Sequence, residues 1–278
     1  MYGILTSEKA LVDAFADTVV HYSTDNVSAN KRPPLENVIN TVACWGDTAA
    51  VRADPSLAAQ TADGTRAVPE TDGHHWGTVC PTSETYRTTL LERISTVGSV
   101  GALRLTTPGF PGAQFCRCET CERKFSASDI DDWHAWRART ITQFIRDASS
   151  HCADELYVTA YPDPYPGNLC DRTGLNPQKL TPLVDGFLVP LCSISYETTY
   201  WVESLARGFA HELAALDVSL TFQLSSSNVG VDRLVDVTRQ IDSYADSVIY
   251  GTTTDTADVV RGVIRQCTDR TPQSASVR

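Results

Sequence analysis

Short apolar runs rich in Val, Ile, Leu, Thr and Tyr recur along the chain. They alternate with segments in which apolar residues return every three or four positions. The runs cover residues 3–6, 18–22, 41–45, 102–106, 156–160, 186–191, 219–224 and 247–250. They are nearly continuous rather than alternating, the pattern of parallel strands covered on both faces. Between them, Tyr86, Leu90, Ile94 and Val97 form one helical stripe, and Trp133, Trp136, Ile141, Phe144 and Ile145 form another. Asp129, Asp131 and Asp132 precede the second stripe, where carboxylates suit the positive end of a helix. Trp201, Leu205, Phe209, Leu213 and Leu216 keep helical spacing, as do Val231, Leu234, Val235, Thr238 and Ile241. Core packing is the reading of the aromatic residues in these stripes.

Eight strand-then-helix units without a break in composition predict an α/β fold, a single (β/α)8 barrel over residues 1–270. A doubly wound sheet is the alternative. The second unit is the weakest, with room at 30–39 for only a short helix after Pro34, and residues 271–278 read as a flexible polar tail. In such a barrel the loops that follow the strands share one face, where chemistry is done. Two of them are long, 46–85 after the third strand and 107–132 after the fourth, and the barrel makes them neighbours.

Composition narrows the class. The 278 residues carry a formal net charge of −11 and four lysines, Lys9, Lys31, Lys124 and Lys179. An acidic surface poor in basic patches disfavours nucleic acid as a partner. The Asp- and Thr-rich, Lys-poor balance resembles that of proteins from salt-loving organisms, in whose milieu charges are screened within a few Å. No apolar run approaches the roughly 20 residues of a membrane span, and no leader pattern precedes the first strand. A cytoplasmic location is the expectation. Its oligomeric state is not legible.

The nine cysteines do not suit a small disulfide scaffold in a chain of this size. Cys44, Cys152 and Cys192 lie in or beside apolar runs and read as small core residues. Cys116-Arg117-Cys118-Glu119-Thr120-Cys121 differs, because C-x-C followed by C-x-x-C turns three soft ligands toward one point, as a tetrahedral Zn²⁺ requires. Cys80, in the neighbouring long loop beside Pro81, is the best fourth ligand. Four sulfur ligands leave no open position, so such a zinc braces loops rather than activating water.

Cys80-Pro81-Thr82-Ser83-Glu84-Thr85-Tyr86-Arg87, then a strand, then Cys116-x-Cys118-x-x-Cys121-x-x-x-Phe125, then Trp133-x-x-Trp136-Arg137 form a recognisable succession. Over residues 40–150 it resembles the zinc-containing β-galactosidase family of glycoside hydrolases and related hypothetical glycosyl hydrolase barrels. The resemblance implies a structural zinc held by Cys80, Cys116, Cys118 and Cys121, and a carbohydrate or glycoside as the small-molecule partner. It also implies an acid/base carboxylate at the end of the strand before the triplet, and a nucleophile after the seventh strand. This chain departs from both: the fourth strand reads Ala102-Leu103-Arg104-Leu105-Thr106-Thr107, and the seventh carries Gln223. Retaining hydrolysis needs two facing carboxyl groups. The remaining acids near strand ends, Asp47, Asp163 and Glu197, are therefore the candidate catalytic groups. Trp45, His75, Trp76, Arg104, Tyr161, Tyr196 and Gln223 are the candidate sugar contacts.

The function expected is a glycoside hydrolase-like barrel that acts on or binds carbohydrate, with a non-catalytic carbohydrate-binding barrel as the alternative. A tRNA-guanine transglycosylase-like zinc barrel is a further alternative. It places its triplet near the barrel's end and uses a downstream histidine, whereas His134 and His151 here stand at unsuitable offsets.

Overall fold

The computed structural model describes residues 1–163, 165–192 and 196–269. The polar tail expected at 271–278 lies outside the described residues. Eight parallel strands close into a barrel in sequential order: β1 (Tyr2–Thr6), β2 (Val19–Ser23), β3 (Ile39–Ala43), β4 (Leu103–Thr106), β5 (Leu156–Thr159), β6 (Gly186–Pro190), β7 (Ser219–Ser225) and β8 (Ser247–Gly251). β8 returns to β1 with Gly3 opposite Ile249. The helices are α1 (Lys9–Ala14), α2 (Thr48–Ala53), α3 (Glu84–Gly98), α4 (Glu119–Ser126), α5 (Trp133–Ser149), α6 (Leu169–Thr173), α7 (Pro177–Leu180), α8 (Tyr200–Leu213), α9 (Val231–Ile241) and α10 (Ala257–Thr268). The (β/α)8 reading is correct. None of these helices is long and apolar enough to cross a membrane.

The continuous apolar runs follow from this architecture. Ile4, Val20, Val42, Leu103, Leu105, Val158, Phe187, Val189, Phe222, Leu224, Val248 and Tyr250 occupy one alternation of the strands and are buried in the core. They face the helical ring, into which α5 sends Trp133, Trp136, Ile141, Phe144 and Ile145. The ladders place the other alternation in the lumen: Thr41 opposite Arg104, Arg104 opposite Tyr157, and Leu188 opposite Thr221. The lumen is unusually polar for a fold whose interior is ordinarily filled by Val, Ile and Leu.

Three sequence expectations need correction. The connection from β2 to β3 contains no helix. Pro33 and Pro34 withhold two backbone donors, and Asn37 turns the chain in the left-handed region (φ 59°). The Asn40 side chain then satisfies Leu35, accepting from its N–H at 2.9 Å and donating to its carbonyl at 2.8 Å. Second, β3 begins and ends two residues earlier than the apolar run, with Cys44 and Trp45 continuing the pairing onto Thr106 and Thr107 beyond it. Third, Trp201 is 58% exposed at the start of α8 rather than packed in the core. Leu205 and Phe209 further along the stripe are buried.

Candidate functional site

The long connection between β3 and α3 folds back on itself. Its backbone forms short antiparallel bridges, Gly46 with Thr78, Ala58 with Val79 and Gln60 with Arg66. Val51, Ala58 and Val79 give it a small core of its own. Trp45 fastens it to the next loop, because its indole N–H donates to the Pro108 carbonyl at 2.8 Å while the ring packs on Phe144 with centroids 4.6 Å apart. Fully buried, Trp45 offers no face to a sugar.

This loop brings Cys80 to the triplet. The Sγ atoms of Cys80, Cys116, Cys118 and Cys121 all lie within 4.8 Å of one another, a cluster able to hold a metal ion. Cys80 Sγ is 3.6 Å from that of Cys118 and 3.4 Å from that of Cys121. The Gln60 N–H donates to Cys116 Sγ at 3.4 Å. Hydrogen bonds from the Cys116, Cys121 and Cys80 thiols hold Cys118 far below the usual thiol range. Around the sulfurs stand Arg117, stacked 3.7 Å over the Trp133 ring, and Lys124, which donates to the Thr82 carbonyl at 3.1 Å and pairs with Glu84. The donor set fits a dication that makes all four sulfurs thiolates, and nearby cations offset the surplus negative charge. His134 is engaged elsewhere, with Nδ1 3.0 Å from the Asp171 carbonyl oxygen.

Arg137 of the Trp-x-x-Trp-Arg motif stitches the β4 loop to α6. Its guanidinium donates to the carbonyls of Gly112 (2.6 Å), Asp171 (2.7 Å) and Arg172 (3.0 Å) and lies 4.5 Å over the Phe110 ring. Burial lowers its pKa to about 10, so it stays charged at neutral pH. At Gly109 a Cβ would stand 2.6 Å from the Thr173 carbonyl oxygen, so the close approach of these two segments requires glycine there.

These segments enclose a cleft of about 200 Å³ at the C-terminal mouth of the barrel. His74, His75 and Trp76 form one wall, Phe110 and Pro111 another, and Tyr161, Arg172 and Leu175 a third. Thr106, Thr159 and Pro190, at the ends of β4, β5 and β6, make the floor. Among the described residues, no carboxylate lines this cleft. A groove of about 470 Å³ shares its His74, Pro111 and Arg172 and adds Asp163, Asp171 and Gln114.

The expected site residues therefore separate. His75, Trp76 and Tyr161 line the cleft. Asp163 borders it, buried, with one oxygen accepting from the Tyr165 N–H at 2.8 Å and the other from Arg172 Nη1 at 2.8 Å. Asp47 caps α2 through the Ala50 N–H (2.8 Å), and its other oxygen accepts from the Tyr86 hydroxyl at 3.0 Å. Its surroundings are a different crevice, with Asp25, Tyr86 and Arg93. Glu197 is exposed and lines neither cavity. Tyr196 is buried, its hydroxyl donating to the Leu191 carbonyl at 3.0 Å and accepting from the Ser225 N–H at 2.8 Å, so it braces the end of β7. Gln223 and Arg104 belong to the inward alternation of β7 and β4. Phe110, Thr159 and Arg172 are cleft residues that the sequence reading missed. Thr159 was legible in principle as a polar residue ending a barrel strand, whereas Arg172 reaches the cleft only through α6, a helix with no apolar periodicity to reveal it.

No protein-family model matches the chain, and no curated protein matches it in sequence. Among solved structures, the fold is similar to α-L-fucosidase isoenzyme 2 from Paenibacillus thiaminolyticus, with TM-score 0.65 and 10% identity over 90% of this chain and 44% of that one. The chain thus spans less than half the length of the fucosidase. It is also similar to the glycoside hydrolase domain of PelA from Pseudomonas aeruginosa (TM-score 0.51, 12% identity, 90% of this chain and 94% of that one). The catalytic domain of β-amylase from Paenibacillus polymyxa gives TM-score 0.54 and 7% identity over 96% and 98% of the two chains. At these identities the likeness is one of fold. It defines the class of protein as a (β/α)8 barrel, in which four cysteines from two neighbouring mouth loops stand together.

Proposed function

We propose that this chain is a glycoside hydrolase-like barrel that binds carbohydrate in the mouth cleft and carries a structural zinc on Cys80, Cys116, Cys118 and Cys121. The observation that carries the reading is the cleft itself: Trp76 and Tyr161 beside His75, Arg172 and threonine hydroxyls, at the face of the barrel where ligands bind. Aromatic faces cover the apolar side of a sugar ring while hydroxyls and guanidinium groups meet its oxygens. The fold likeness to a fucosidase, an amylase and a glycoside hydrolase domain supports the same class of ligand. Binding without hydrolysis is favoured over turnover, because no pair of carboxylates faces the cleft among the described residues. Asp163 and Glu197 are the acids to test for turnover, Asp163 because it borders the cleft. Asp47 is the weaker candidate, held as a helix cap. The acidic, lysine-poor surface suits a salt-rich cytoplasm.

The test is a panel of aryl glycosides and free sugars in molar salt. Sugar binding is expected to quench the fluorescence of Trp76, and Trp76→Ala is expected to weaken binding about tenfold or more, a loss of about 1.4 kcal/mol. No turnover is expected. Turnover abolished by an Asp163→Asn/Glu197→Gln double variant would instead establish a hydrolase, and the absence of any sugar binding would remove the carbohydrate reading altogether.

A further inference from the structure

A charge stands in the lumen of the barrel with no hydrogen-bond partner among the described residues. Arg104 projects into the lumen from β4 and is only 2% exposed. Its Nε and Nη1 have no hydrogen-bond partner among the described residues. Arg137 differs in that both its Nη groups are met by three carbonyls, although its Nε too has no partner among the described residues. Burial draws the Arg104 pKa down to about 10, so the group remains a cation at neutral pH.

The titratable groups around it provide no counter-charge. His21, on β2, is kept neutral by burial and by Arg104 itself. The Cys192 thiol is pushed up to about 11 by burial and donates to the Gln223 carbonyl at 3.4 Å. Two further lumen atoms have no partner among the described residues: His21 Nδ1 and Thr159 Oγ1. Thr159 is part of the cleft floor, and so is Thr106, two residues beyond Arg104 on the same face of β4. Arg104 does not itself line the cleft; it stands in the lumen layer one inward position below the Thr106 of the cleft floor. Arg172, the cation on the cleft wall, is already paired with Asp163.

Burying a guanidinium unpaired costs several kcal/mol, and such a group is matched best by a planar anion that accepts two parallel N–H bonds. A neutral sugar hydroxyl accepts one bond and leaves the charge unbalanced. We propose that the cleft is selective for sugar acids: the ring stacks between Trp76 and Tyr161, and its carboxylate descends past Thr106 and Thr159 to Arg104. This rests on the carbohydrate reading above and specifies its ligand. Arg104 is then a specificity-determining residue, its lack of a partner among the described residues being what leaves it available to an anion.

Glucuronate and galacturonate should be compared with glucose and galactose by calorimetry and thermal unfolding at constant chloride, with acetate and inorganic phosphate as separate arms. The acidic sugars are expected to bind at least tenfold more tightly than their neutral parents and to raise the Tm by several degrees. Arg104→Gln should erase that preference while leaving the free protein as stable as before or more so, since an unpaired buried charge has been removed. Arg104→Lys, which keeps the charge but not the fork, should reduce the preference about tenfold and serves if the glutamine variant does not fold. Equal binding of acidic and neutral sugars overturns the proposal and leaves carbohydrate binding standing. Preference retained in both variants overturns it too. Acetate or phosphate reproducing the whole effect shows a general anion hole instead, and failure of every sugar removes both readings.

Discussion

Two arginines inside one small protein illustrate how context decides what a buried charge does. Arg137 is fully buried, yet its two Nη groups meet the carbonyls of Gly112, Asp171 and Arg172, so it functions as a cross-brace between the β4 loop and α6. Its replacement strands three backbone acceptors. Arg137→Met is therefore expected to cost about 3 kcal/mol in urea unfolding, with Arg137→Lys only slightly better because an ammonium cannot span the three carbonyls. A loss below about 1 kcal/mol would contradict this role. At this scale the sequence was legible where side-chain chemistry is nearly obligatory. The C-x-C-x-x-C spacing announced its cluster, and Cys80 joined it through a neighbour relation that the barrel supplies. It was not legible for Trp45 and Tyr196, which share the residue type of sugar platforms but are committed to hydrogen bonds with Pro108, Leu191 and Ser225. Asp47 reads as an acid at a strand end in sequence, and only the fold reveals that its position is also the N-cap of α2.

The elements themselves were largely written in the apolar runs, because strands buried on both faces have no room for polar alternation. The shift of β3 has a physical cause. Cys44 and Trp45 are apolar for the sake of packing under α3 and α5, and hydrophobicity alone does not show where a ladder stops. The β2–β3 connection is a case of local chemistry overriding the repeating unit. Without a helix there, Asn40 takes over, using both ends of its amide to close the segment onto Leu35. Asn40 is fully buried. Asn40→Ala is accordingly expected to destabilise the protein by about 2 kcal/mol, since it leaves two Leu35 backbone groups unmet. The same substitution at exposed Asn30 is expected to change stability by no more than about 0.5 kcal/mol. Equal effects at the two sites in thermal unfolding would show that the amide bonds contribute nothing.

For the molecule as a whole, the proposed zinc is what joins fold to site. The cleft walls come from the β3 loop (His74 to Trp76) and the β4 loop (Phe110, Pro111), the two segments whose cysteines meet in the cluster. Anaerobically purified protein is expected to contain about one zinc per chain. Chelation is expected to lower the Tm and open proteolytic cuts within residues 46–83 and 107–132 while most of the helical circular dichroism persists, because the barrel core does not depend on the metal. Metal-free protein with an unchanged cleavage pattern would remove zinc from the account. The mouth was only half legible in sequence. Its cysteine clip and aromatic walls were visible, but the floor was not, since that is made where strands distant in sequence end at one height.

The position of the clip also has a consequence for synthesis. Its four thiols fall between Cys80 and Cys121, before β5 begins at Leu156. A nascent chain that has emerged as far as α4 already holds every ligand, while half of the sheet has yet to be made. Capture of the proposed zinc at that stage would lock the third and fourth units into a seed on the ribosome, against which the later strands add in order. The ion would then act as a timekeeper of assembly as well as a brace of the finished mouth.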